Sequence, residues 1–173
     1  MQNSYFDLVN YLAKEKVNHE VPNSSIDHAE DIIVSMLLNG EKELNIFSGE
    51  LKSDLFENDR FINNLKLYFA LTEGKISVII QNLSEKTLKE HEFFKIIKEN
   101  KLNNRCKFFI VNEDTEAKRE IEHFQTVDGI GYRLEKDTSQ IKATANFYDP
   151  SKTKELNEKF TIYKQSSREI QVA

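Results

Sequence analysis

The chain has 173 residues, 39% hydrophobic and 31% charged, enough for one domain with a substantial core. Its formal charge of −5 lacks the basic footprint of a general nucleic-acid binder, so net charge does not support nucleic acid as a partner. One cysteine excludes an internal disulfide or a cysteine zinc site, and no leader or membrane-length apolar run is visible, so a cytoplasmic protein with no membrane partner is expected.

Phe6, Val9, Leu12, Ala13 and Val17 recur at helical spacing and predict an amphipathic helix over residues 4–17. Residues 19–25, with Pro22, read as a connector. Ser24 or Ser25 can cap the next helix, which shows an apolar stripe from Ile26 to Leu37 and stops at Gly40 in a left-handed conformation. A strand with Leu44, Ile46 and Phe47 follows. The pattern repeats as a helix carrying Phe61, Leu65, Tyr68 and Phe69, then a strand over 75–81 that is apolar on both faces and therefore central. Ser84 caps a third helix to about Asn100, and Cys106 to Val111 form a third buried strand in which the thiol is filler. Three successive helix–strand units imply parallel strands covered by helices.

After Val111 the pattern changes. Residues 113–118 read as a loop. Ile121, Phe124 and Val127 lie in one strand and Ile130 to Leu134 in another, joined at Asp128-Gly129, a hairpin signal. A further strand covers 142–148, and Asp149-Pro150 opens a helix that turns Leu156, Phe160 and Tyr163 to the sheet. The polar tail after Ser166 is expected to fray. The expected fold is α/β: a mixed, largely parallel sheet flanked by helices, with a C-terminal antiparallel hairpin and a closing helix. Residues 1–25 are the N-terminal helix and connector, 26–168 the α/β domain and 169–173 a tail.

His123-Phe124-Gln125-Thr126-Val127-Asp128-Gly129, followed by Ala143-Thr144-Ala145-Asn146, resembles the active-site strand pair of the phospholipase D-like superfamily in a single repeat. That family's motif is a His, any residue, a Lys, four residues, then Asp-Gly, with Gly-Ser-x-Asn shortly after. In active members two motifs meet: one His attacks phosphorus, the other protonates the leaving oxygen, and the Lys and Asn residues hold the phosphate oxygens. Anchored on Asp128-Gly129, the match puts Ile121 at the nucleophile position and His123 at the lysine position. Anchored on His123, it puts Gln125 in place of Lys and Ile130 in place of Asp. Neither register restores all three groups, so the degenerate motif argues against an enzyme.

The resemblance implies a phospholipase D-like pseudoenzyme that binds a protein or ligand and permits a microbial regulatory or antiviral-defence role. Its ligand-binding candidates are His123, Asp128, Arg133, Thr144 and Asn146, and His123 and Asn146 are the catalytic candidates. No metal or cofactor is implied; acids around His28 suit a helix start without a metal. Each candidate also has a plain structural reading: His123 as a strand-face residue, Asp128 as a turn residue, Asn146 in local hydrogen bonding, Arg133 and Glu135 as a cross-strand ion pair. The expected partner is a second copy or a larger effector protein. The alternative is a divergent metal-independent phosphodiesterase or nuclease whose site uses His123 and Asn146 from both subunits of a homodimer.

Overall fold

Apolar residues at helical and strand periods turn most of the chain into regular structure; the computed structural model describes residues 4–139 and 142–173. Helix α1 (Ser4–Glu15), strand β1 (Val21–Asn23), helix α2 (Ile26–Asn39) and strand β2 (Glu43–Ser48) come first. Helices α3 (Ser53–Phe56) and α4 (Asp59–Leu71) precede β3 (Lys75–Ile80), and α5 (Glu85–Glu90) and α6 (Glu92–Glu99) precede β4 (Cys106–Val111). Then come α7 (Glu116–Arg119), β5 (His123–Val127), β6 (Gly131–Asp137), β7 (Lys142–Asn146), α8 (Pro150–Gln165) and β8 (Ser167–Ile170).

The strands form one sheet in the order β1-β7-β6-β5-β2-β3-β4-β8. The expected α/β architecture is present, but the sheet is mostly antiparallel. Of the seven pairings among the described residues, only β2 with β3 and β3 with β4 are parallel. The hairpin strands and the chain's two ends outweigh the parallel centre. The connector contributes β1, an edge strand on β7, where Pro22 is tolerated. The tail does not fray: Ile170 is buried and β8 pairs antiparallel with β4.

Two further expectations are corrected. The helix after Ser84 breaks at His91, which caps α5 and starts α6; its Nδ1 accepts from Phe93 N at 3.3 Å and its Nε2 meets the Leu51 carbonyl at 2.9 Å. Gly40 follows α2 with an extended backbone, φ −79°. Glycine is required there for space, because a Cβ would lie 2.7 Å from the Met36 carbonyl oxygen and 2.8 Å from Val127 Cγ2.

The other caps follow the sequence. Ser25 accepts from His28 N at 3.1 Å, and Asp149 accepts from Lys152 N at 3.0 Å before Pro150. Each face of the sheet has its own core. Ile46, Val78, Ile80 and Phe108 pack with α2, α4 and α6 on one side. Phe47, Ile79, Phe124 and Tyr132 meet Leu156, Phe160 and Tyr163 of α8 on the other. Each fully buried side chain of this kind contributes about 1.5–3 kcal/mol.

Asp128 joins the hairpin to the centre of the sheet. Asp128 and Gly129 both have positive φ, 51° and 70°. The Asp128 carboxylate accepts from the backbone N–H groups of Glu41, Lys42 and Glu43 at 2.9, 2.8 and 3.0 Å. Asp128→Ala removes this acceptor and leaves alanine at a left-handed position, so it should destabilise the fold by roughly 2–4 kcal/mol in urea unfolding, with Asp128→Asn costing less. Equal stability of the alanine variant and the native chain would contradict this account.

Candidate functional site

The parallel strands β2 and β3 end side by side, and β5 begins beside them with His123. Ligand clefts in such sheets form outside the carboxyl ends of parallel strands. A cavity of about 220 Å³ lies here, lined by Ser48 at the end of β2, Gly49 and Lys52 after it, Asn82 after β3, and four side chains of the hairpin. Those four are His123 and Gln125 from β5 and Arg133 and Glu135 from β6. Register and alternation put them on one face, because His123 is opposite Glu135 and Gln125 opposite Arg133.

Gln81 fixes His123. Its Nε2 donates to the carbonyls of Ala117 at 2.7 Å and Glu120 at 2.8 Å, which uses both amide hydrogens. Its Oε1, 2.9 Å from His123 Nε2, must then accept. The imidazole therefore carries its proton on Nε2 and keeps its lone pair on Nδ1. Burial lowers the His123 pKa from its ordinary value and outweighs the opposing pull of Glu135, which favours the neutral ring. Gly49 leaves room for the ring, since a Cβ there would sit 2.8 Å from His123 Cε1.

Arg133 is 1% exposed. Its Nε donates to Asn23 Oδ1 at 2.7 Å and its Nη1 to Gln125 Oε1 at 3.3 Å. Glu135, 7% exposed, lies 3.6 Å from Nη1. Burial lowers the Arg133 pKa, but a guanidinium stays charged in a protein. Arg133 and Glu135 are thus a pair two residues apart on one strand face rather than a cross-strand pair.

The sequence candidates divide. His123 and Arg133 meet at the cavity; Asp128 is spent on the backbone of residues 41–43. Asn146 pairs with Tyr132 and Thr144 with Leu134, which puts both on the α8 face, opposite His123. Asn146 Nδ2 donates to Asn18 Oδ1 at 2.8 Å, and its Oδ1 accepts from Tyr148 N at 3.0 Å. His123 and Asn146 share no cleft in this chain. Ile121, at the nucleophile position of the hairpin register, is 72% exposed ahead of β5. Among the described residues no cluster of three or more His, Cys, Asp or Glu could hold a metal. No helix among them is long and apolar enough to cross a membrane.

A family model described as "Domain of unknown function (DUF7931)" matches residues 25–171. The chain belongs to this family. No curated protein matches the DUF7931 chain in sequence. Solved structures do match. TrmBL2, an archaeal chromatin protein described as showing a novel mode of DNA binding, is 12% identical with a TM-score of 0.67, covering 98% of this chain. The chain spans only 63% of the length of TrmBL2. Nuc from Salmonella typhimurium, a phospholipase D family member, is 8% identical with a TM-score of 0.63, covering 90% of this chain and 99% of Nuc. NucT from Helicobacter pylori is 10% identical with a TM-score of 0.56, covering 89% and 99%. At such identities the likeness is one of fold, and the fold is phospholipase D-like.

Sequence reasoning passed over Gln81 as a site residue. Its one signal was an amide directly after the apolar run Val78 to Ile80 of a parallel strand. The Glu120 carbonyl that anchors it belongs to a charged cluster. Burial would raise the Glu120 pKa, but Lys159 at 2.5 Å, the Tyr163 hydroxyl and the Glu122 N–H at 3.0 Å bring it down to about 2. A depressed carboxylate stabilises the fold above its unfolded value, and the contribution is lost as pH falls through the folded one. Urea midpoints should therefore drop between about pH 4.5 and pH 2, and Glu120→Gln should flatten that slope. An unchanged slope in the variant would reject the assignment.

Proposed function

We propose that this chain is a phospholipase D-like module that binds a small ligand in the cavity beside His123 and Arg133 and does not cleave phosphodiesters. The observation that carries this reading is the Gln81–His123 hydrogen bond. It commits Nε2 as a donor, so that nitrogen has no lone pair with which to attack phosphorus. Three further features support it. Among the described residues His123 is the one histidine lining the cavity, the buried cation there faces Glu135, and Asn146 stands on the opposite face. The two-subunit nuclease reading needs His123 and Asn146 in one site, which this arrangement disfavours.

In this reading ligand occupancy is passed to a second copy or a larger effector protein, in a regulatory or defence role in a microbial cytoplasm. The DNA binding described for TrmBL2 is not carried over, since the net charge here is −5.

The full chain, with chelator present, should release no nitrophenol from bis(p-nitrophenyl) phosphate and cut no single-stranded DNA above the buffer rate. His123→Ala should behave identically. Metal-independent cleavage that falls by about 100-fold or more in His123→Ala would overturn the proposal in favour of the phosphodiesterase.

A further inference from the structure

The charges around the cavity balance. Lys52 and Arg133 supply two cations, Glu50 and Glu135 two carboxylates, and His123 is neutral. The deep pair is incompletely joined. Arg133 and Glu135 are 1% and 7% exposed, yet stand 3.6 Å apart. Charge-assisted hydrogen bonds run at about 2.7–2.9 Å. The oxygens of Glu135 are not among the buried atoms left without a partner, so the carboxylate opens onto the cavity and is available to a ligand there. Among the described residues, Arg133 supplies its one ion pair. The guanidinium has five N–H groups, and its hydrogen bonds run from Nε to Asn23 and from Nη1 to Gln125. Both charged groups border the same space of about 220 Å³. That is below the roughly 300–1,000 Å³ of pockets for drug-sized ligands, so the occupant is small.

We infer that the cavity takes a small zwitterion of the α-amino-acid type, its ammonium against Glu135 and its carboxylate toward Arg133 and Lys52. The inference rests on the ligand-module reading and narrows it. A phosphate dianion would meet the like charge of Glu135 in a poorly screened site. A neutral polyol would bring no charge of its own to either member of the loosely joined Arg133–Glu135 pair. A zwitterion satisfies both signs and keeps the site neutral.

Calorimetric titration of the full chain with each of the twenty free α-amino acids tests the inference. At least one should bind. Its N-acetyl derivative, lacking the ammonium, and its amide, lacking the carboxylate, should each bind at least tenfold more weakly. Glu135→Gln, nearly isosteric, should weaken the free amino acid at least tenfold. Should that variant fail to fold, the two derivatives still decide the question on the native chain. The inference is overturned if no free amino acid binds, or if both derivatives bind as well as the parent. Binding of inorganic phosphate or glucose in place of every amino acid would also overturn it, while leaving the ligand-module reading intact. Cleavage of bis(p-nitrophenyl) phosphate would remove the module reading itself.

Discussion

One amide organises the site. Gln81 directly follows the central strand β3 and reaches three parts of the chain: α7 through the Ala117 carbonyl, the approach to β5 through the Glu120 carbonyl, and the ring of His123. Gln81 is 3% exposed, so each of these bonds replaces one that water would otherwise supply. Because both amide hydrogens go to backbone carbonyls, the orientation of the amide is determined, and with it the tautomer of the imidazole. A histidine that resembles a nucleophile in sequence is a hydrogen-bond donor in the fold.

The polar layer beside it has the same character. Arg133 stitches β6 to β1 through Asn23 and to β5 through Gln125, while Asn23 Nδ2 donates to the Ser25 carbonyl at the start of α2. A buried network of this kind contributes only when its members are paired. Glu135 is the member whose pairing is loosest, and it is the one that opens onto the cavity. The network holds the hairpin in place, and in the proposed reading its loosest charge is the one that meets the ligand.

Much of the fold was legible because it rests on local signals. The stripes of α2 and α4, the apolar runs of β3 and β4, the Asp128-Gly129 turn and the Asp149-Pro150 helix start are short-range patterns, and each formed where the pattern stood. The errors at the two edges of the sheet came from long-range pairing, whereas the segment expected as a loop over 113–118 forms α7, capped by Thr115. A polar tail became β8 because Ile170 pairs beside Phe108 on β4, and a connector became β1 because β7 offered an open edge. The break at His91 was invisible because α5 and α6 share one helical pattern. The site was half legible. His123 and Arg133 stood out by type, but the face on which Thr144 and Asn146 lie depends on the register of β7 against β6, which no local signal encodes.

The central claim is that His123 is held as a neutral Nε2–H imidazole by Gln81. A long-range ¹H–¹⁵N correlation spectrum of the full chain at pH 7 reads the two ring nitrogens directly. The account predicts an Nε2–H tautomer that reverts to a mixture in Gln81→Leu. An Nδ1–H tautomer or a protonated ring in the native chain would contradict it.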